Sequence, residues 1–330
     1  MGSSILERKE LEILDVLREA GRPLGARQLA RRLKERGIEL TERAVGYHLA
    51  SLDRRGLTRL DGGRGHSPTP AALEELERSL APERVGFVSS RIDSLAFRST
   101  FDPERRSGTL PVNISLVPAN HLRRALELMA AAMRAGYCLS ELVLLRREGE
   151  RLGNMEIPPG KCGIGTVCSV ALNGVLLKRG VPVASRFGGL LEVERGRPLR
   201  FLEIIGYDHS TLDPIEIFIK GKMTGVAEAV AGRRGVVCAS FREIPSDATT
   251  RVLEALEAMR GCRMAGAVHL GRPGQHFLQV PVGKGRMGLV VIGGLNPLAL
   301  VEESGIPSAS KAMISLVDYE ELAPMQELRG

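Results

Sequence analysis

The 330-residue chain has no tryptophan, four tyrosines and eight phenylalanines. Platforms for single-stranded nucleic acid stack successive bases on repeated aromatic faces, so so few rings argue against that class. No CxxC pair occurs. Cys138, Cys162, Cys168, Cys238 and Cys262 are odd in number and widely spread. That pattern fits reduced thiols serving as small core residues in a cytoplasmic protein. Apolar runs such as Val175–Leu177 and Leu289–Ile292 fall far short of a bilayer's thickness. No charged segment followed by an apolar one opens the chain, so no secretory leader is expected. Leu6 stands where a myristoylation signal needs Ser or Thr. Gly160, Gly163 and Gly165 lack a following GK[ST], which makes them a turn approaching a strand rather than a P-loop.

What is present is an ordinary globular composition, 43% hydrophobic and 26% charged. The length allows one large domain or two ordinary ones. The net charge is +7, and its location matters more than its size. Between Arg22 and His66 stand eleven Arg/Lys against five Asp/Glu, a balance of +6 that leaves the rest of the chain at +1. A short basic block on a nearly neutral body suggests a polyanion-binding module attached to something else.

The basic block has the order of a winged helix-turn-helix. A first helix is expected from about Ser4 to Ala20, with Leu6, Ile13, Leu14 and Leu17 on one stripe, ended by Gly21 and Pro23. A second is expected over 26–36. Thr41 caps a third, which runs to Arg55 and stops at Gly56. Its inner stripe is Val45, His48, Leu49 and Leu52, which makes His48 a packed histidine. Arg43, Tyr47, Ala50 and Arg54 point the opposite way, with Gly46 beside them. A hairpin follows, Leu57–Asp61 and His66–Pro68, with Arg64 at its tip, and then a helix from Pro70 to about Leu80. The third helix would enter a major groove, with Arg43 as the best base reader because its fork matches guanine O6 and N7. The DNA-contact set is therefore Arg43, Gly46, Tyr47, Ala50, Arg54 and Arg64.

Residues 81–86 read as a linker and 87–330 as a second domain. That body repeats itself. Gly165–Asn173 can be set beside Gly288–Asn296, Gly180–Pro182 beside Gly305–Pro307, and Ala184–Arg186 beside Ala309–Lys311. Upstream, Ala132–Arg134 parallels Ala258–Arg260, and the same order at several places is unlikely by chance. Two homologous halves are read, about 84–205 and 206–322. Each runs strand, long helix, strand, glycine-rich stretch, strand, short helix, strand. The fold class is an α/β (α+β) body with pseudo-two-fold symmetry behind an N-terminal winged helix. A cleft between such halves receives matched groups from both.

Chemistry in the body is sparse. Asp208 to Pro214 is the most polar segment. Adjacent residues on one loop rarely give a Ser-His-Asp geometry, and Asp213 before Pro214 reads as a helix cap. Cys162, Cys168 and His209 lack the paired short spacing of a zinc site, so no metal is expected. Asn173 and Asn296 are expected to cap short helices in equivalent places. Arg186 and Lys311 keep a cation at one repeated position and suit a carboxylate in a shared cleft.

The chain resembles the NrpR family of nitrogen-regulation repressors. The resemblance is carried by Gly-Thr-Val-Cys-Ser-Val at 165–170, Asn-Gly-Val-Leu-Leu at 173–177 and Arg-Phe-Gly-Gly-Leu at 186–190. It continues in Leu-Asp-Pro-Ile-Glu-Ile-Phe at 212–218, Ser-Phe-Arg-Glu-Ile-Pro at 240–245 and Glu-Arg-Ala-Val-Gly-Tyr-His-Leu at 42–49. It covers essentially the whole chain. The resemblance implies a DNA-binding repressor, dimeric on inverted-repeat operators, whose second part senses 2-oxoglutarate. A dicarboxylate needs cations and N–H or hydroxyl donors in a cleft. The candidates here are Arg186, Lys311, Thr166, Ser169, Ser210 and Thr211.

The expected protein is thus a ligand-responsive repressor, not an enzyme. It has no cofactor, a dicarboxylate effector, double-stranded operator DNA and a second copy of itself as partners, and no membrane. The alternative from another class is an enzyme on the α/β body with the winged helix as an accessory, as in bifunctional biotin ligases. It would need a nucleophile–base–acid set or a nucleotide loop, and neither is read here.

Overall fold

The structure, a computed structural model, describes residues 6–79, 86–153, 155–264 and 266–329. The chain forms two compact units, residues 1–85 and 86–330. Ala81–Val85 of the expected linker lie outside the described residues, as does the Ser4 start expected for the first helix.

The first unit holds α1 (Arg8–Ala20), α2 (Ala26–Glu35), α3 (Glu42–Arg54), β1 (Thr58–Leu60), β2 (His66–Pro68) and α4 (Pro70–Ser79). Ile13, Leu14, Leu17, Leu29, Leu33, Val45, Leu49, Leu52 and Leu76 close its core. Gly21 ends α1 in the left-handed region at φ 59°, and Thr41 Oγ1 accepts the Ala44 N–H at 3.2 Å to start α3. The wing pairs β1 with β2, and Leu24 adds a third rung by exchanging N–H···O bonds with His66. Gly65 makes that rung possible: its φ is +122°, and a Cβ there would lie 2.3 Å from the Leu24 carbonyl carbon. The buried Glu10 accepts from Ser51 Oγ and Arg55 Nη1, which ties α1 to α3.

The second unit begins with α5 (Phe87–Arg98). The first half then supplies β3 (Thr109–Pro118), α6 (Leu122–Arg134), β4 (Leu142–Arg146) and the small hairpin β5 (Arg151–Leu152) and β6 (Met155–Glu156). It continues with β7 (Lys161–Val167), α7 (Val170–Lys178), β8 (Ala184–Glu194) and β9 (Arg197–Gly206). The second half supplies α8 (Pro214–Lys220), α9 (Val226–Val230), β10 (Arg234–Pro245), α10 (Thr249–Gly261) and β11 (Val268–Leu270). It closes with β12 (Arg286–Ile292), α11 (Asn296–Glu303), β13 (Ala309–Asp318) and β14 (Ala323–Pro324).

The repeat shows directly in the strand order. One five-stranded sheet runs β13-β3-β7-β4-β14 and the other β11-β12-β10-β8-β9, with every pairing antiparallel. Each half lends two strands: β8 and β9 leave the first half, β8 to pair with β10, and β13 and β14 leave the second half to pair with β3 and β4. The two halves are therefore interlocked by reciprocal strand exchange. Two cores result, one involving α6 and α11 and the other α10 and α7, as a pseudo-two-fold requires.

The register corrects one detail of the sequence alignment. Asn113 faces Thr166 across β3 and β7, and the equivalent Ser240 faces Val291 across β10 and β12. Thr166 thus matches Val291, two residues beyond the pairing of Gly165 with Gly288. Asn173 and Asn296 are in consequence not equivalent, and neither side chain caps its helix. Asn173 sits inside α7 and donates to Ser185 Oγ at 3.0 Å. Asn296 opens α11 and completes the backbone of Cys238, accepting its N–H at 2.7 Å and donating to its carbonyl at 2.8 Å. On the exchanged strands Ser185 of β8 and Ser310 of β13 match, pairing Arg242 and its equivalent Ser115, whereas Arg186 falls in a β-bulge and Lys311 pairs Ile114.

Candidate functional site

On the first unit, α3 turns Val45, Leu49 and Leu52 inward, which leaves its other face bare. Arg43, Ala50 and Arg54 are exposed, and Tyr47 is 72% exposed. Gly46 is half-buried beside them, and Arg64 is exposed at the wing. His48 is half-buried, its ring edge-on to Tyr47 at 5.8 Å, and it stands outside the buried cluster of the core. The wing is braced by His66 Nε2 on Asp53 Oδ2 at 2.9 Å and by Thr58 Oγ1 donating to Asp53 Oδ1 at 2.5 Å.

In the second unit a cavity lies where the two halves meet. It encloses about 420 Å³ including its mouth. Asn113 on β3 and Ser240 and Arg242 on β10 line it, with Cys168 and Ser169 at the start of α7 and Gly293 to Leu295 at the start of α11. Ile92 of α5, Val170 of α7, Tyr207, Asp213, Ile215 of α8, and Ala312 with Met313 of β13 complete the wall. Gly294 lies against the end of β7: a Cβ there would sit 2.2 Å from the Val167 carbonyl oxygen and 3.0 Å from Asn113 Nδ2. The wall is strained at Met313, which has φ 51° without being glycine and is pinned by its N–H donating to Asn113 Oδ1 at 3.1 Å.

Arg242 dominates this cavity. It is 2% exposed, and Nη2 donates to Ser169 Oγ at 2.9 Å. Its Nε and Nη1 are buried without a partner, and no ion pair reaches it among the described residues. Burial pushes its pKa down, although the group stays a cation. β10 is held from its other face by Phe241, stacked on Phe187 with centroids 5.1 Å apart. A desolvated guanidinium with two idle N–H nitrogens beside two helix starts is suited to a carboxylate or phosphate.

Of the six effector residues expected from the sequence, the structure brings Ser169 to this cavity. Thr166 is buried in β7, its hydroxyl without a partner and away from the lining. Arg186 is exposed on β8, with Nε 4.0 Å from Glu243. Ser210 Oγ donates to the Gly206 carbonyl at 2.5 Å, and Thr211 is half-buried beside it. Lys311 runs along Ile114 in β13, and its side chain lies outside the described residues. Among the described side chains, the cation that lines the cavity is Arg242. Its signal was its parity: it shares a strand face with Cys238 and Ser240, where a charge has no solvent to meet.

Asp213 caps α8 as the sequence suggested, Oδ1 accepting from Ile215 N at 2.8 Å and Glu216 N at 3.3 Å. The cavity offers little to a nucleophilic mechanism. Burial pushes the Cys168 thiol up to about 11, and no histidine stands in the lining. All five cysteines are buried and free. Among the described residues no cluster of three or more His, Cys, Asp or Glu is placed to hold a metal, and no helix is long and apolar enough to cross a membrane.

A winged helix is chained here to a duplicated body with a cavity between its halves that holds a buried guanidinium, unpaired among the described residues. Comparison with known proteins gives the family. Residues 85–324 match the family model described as NrpR regulatory domains NRD1 and 2, and residues 11–76 match a ribonuclease R winged-helix domain. The chain belongs to the NrpR family of nitrogen regulators. It is 39% identical to the global nitrogen regulator NrpRI of Methanosarcina mazei, over 96% of this chain and 97% of that protein. It is 30% identical to the global nitrogen regulator NrpR of Methanocaldococcus jannaschii, over 98% of this chain and 56% of that longer protein. The crystal structure of a nitrogen repressor-like protein from Methanococcus jannaschii superposes with a TM-score of 0.62 at 27% identity, covering 73% of this chain and 98% of that one.

Proposed function

We propose that this chain is a transcriptional repressor of nitrogen regulation. It binds double-stranded operator DNA through α3 and the wing, as a homodimer, and is released by a dicarboxylate effector, 2-oxoglutarate. The observation that carries the effector half is Arg242, a buried cation with idle donors facing a cavity between two halves. One carboxylate of the effector pairs with Arg242, next to Ser169. The other end meets Asn113, Tyr207 and the start of α11.

On this reading the cavity wall yields when the ligand enters. Ile92 of α5 and the strained Met313 segment are parts of that wall. A site that opens to be filled has two states with unequal affinity, which allostery requires. α5 follows the winged-helix unit within a few residues of chain, so its displacement is the shortest covalent route between the two parts. The reading sets the protein in the cytoplasm, where five buried free thiols stay reduced.

The test is fluorescence anisotropy of a selected operator duplex titrated with protein, with and without millimolar 2-oxoglutarate, alongside a thermal-shift series of central metabolites. Release from the duplex with a raised melting temperature supports the reading. No shift and no release with 2-oxoglutarate removes it as the effector.

A further inference from the structure

Arg242 is not the only ionisable group on the cavity wall. Asp213 lines the same cavity, and the two are the charged side chains of the lining. No ion pair joins them among the described residues. One oxygen of Asp213 is taken by the backbone N–H groups of Ile215 and Glu216. A dicarboxylate that puts one end on Arg242 brings its second negative charge into a space already holding this carboxylate. Two carboxylates sharing a poorly solvated site cannot both stay ionised cheaply.

We propose that Asp213 makes effector binding proton-linked, so that the cavity takes a dicarboxylate together with one proton held on Asp213. This rests on the proposed effector reading and adds its charge balance. The protonated carboxyl becomes a donor toward the second carboxylate while its capping oxygen goes on accepting from α8.

The groups that face Asp213 fix the direction. Burial is the largest influence and raises its pKa, Glu216 of its own helix raises it further, and together they bring it to about 6. The Ile215 and Glu216 N–H groups and Arg91 of α5 act the other way. Glu216 is itself committed, accepting from the Ala312 N–H and lying 3.7 Å from Lys220. Tyr207, Cys168 and Cys238 pack within electrostatic reach and stay neutral, because burial raises each of them; Arg242 shares the cavity wall. Asp93 on α5 is also raised, by burial and by Asp208, but stands outside the lining.

In the empty protein Asp213 is therefore ionised above pH about 6 and protonated below it. An arriving dianion raises its pKa again. Affinity should then fall as pH rises above 6, by up to about tenfold per unit while one proton accompanies each ligand, and flatten below 6.

Calorimetry of 2-oxoglutarate into the full chain at pH 7.5, in HEPES and in Tris, counts the protons. The expected count is close to one taken up for the wild type and close to zero for Asp213→Asn. That variant keeps the capping oxygen, so α8 should form, and a melting curve checks it. Its affinity at pH 8 should equal or exceed that of the wild type at pH 6. Asp93→Asn should leave the count at one. Wild-type binding with no proton uptake, unchanged from pH 6 to 8, overturns the proposal and leaves the effector reading standing. No binding at any pH overturns both.

Discussion

Arg242 is buried at a cost in the absence of an anion. A buried guanidinium normally meets a carboxylate, and here it meets one serine hydroxyl while two nitrogens go unanswered. Such an arrangement lowers the stability of the empty protein and is repaid only when an anion binds. Arg242→Met fills a similar volume without the charge. It should raise the melting temperature of the empty protein, by an equivalent of about 1–3 kcal/mol. It should also abolish the ligand-induced shift. A variant that melts lower than wild type and still responds to ligand would show that Arg242 is structural. Asp213 contributes with the opposite sign of charge. Its folded-state pKa, raised to about 6 from the ordinary 3.8, means the native state holds a proton that the unfolded chain releases. That contribution is fully present below pH about 4 and is lost as pH rises through 6, roughly 2–3 kcal/mol in all. Denaturant midpoints of wild type and Asp213→Asn should therefore diverge between pH 4 and 7, with the variant flatter.

The elements divide into those that local chemistry determines and those that it does not. α3 is local: Thr41 starts it, Gly56 follows it, and its periodicity leaves one face bare. Arg43→Ala should weaken binding to a selected operator by roughly 1–3 kcal/mol and relax its sequence preference at one position. Arg64→Ala should weaken all duplexes alike and flatten the salt dependence. Two variants that bind like wild type would dislodge α3 and the wing from the interface. The same local signals placed the helices of the first unit to within a few residues and found Asp213 as a cap. The sheets are another matter. That β8 and β13 would trade places follows from pairings between distant segments, for which the strand pattern holds no register information beyond alternating faces. The cavity depends on those pairings. Arg186 and Lys311 were readable as a repeated cation, yet the exchange places Arg186 on the exposed part of β8. Arg242 has Ser115 at the matching place in the other half, so comparing the repeats hid it. Its position on a buried strand face was the clue, visible only once β10 was known to be covered on both sides.

At the scale of the whole molecule, the proposed repressor is a coupling between two ligands, DNA on one unit and a dicarboxylate in the other. Coupling of this kind is reciprocal: if the effector lowers operator affinity by some factor, operator must lower effector affinity by the same factor. The measurement is the 2-oxoglutarate dissociation constant with and without saturating operator, set against the operator constant with and without saturating effector. The two ratios should agree, within the typical range of about 5- to 150-fold. Ile92 tests the route. It is 3% exposed, it lines the cavity, and it stands on the helix that opens the second unit. Truncating it to alanine loosens the contact between cavity and α5 without removing a charged partner of the ligand. Ile92→Ala should change effector affinity only a few-fold and leave operator binding intact in the absence of effector. Both coupling ratios should shrink together toward one. If they stay at the wild-type value, α5 does not carry the signal, and the strained β13 segment at Met313 becomes the element to vary.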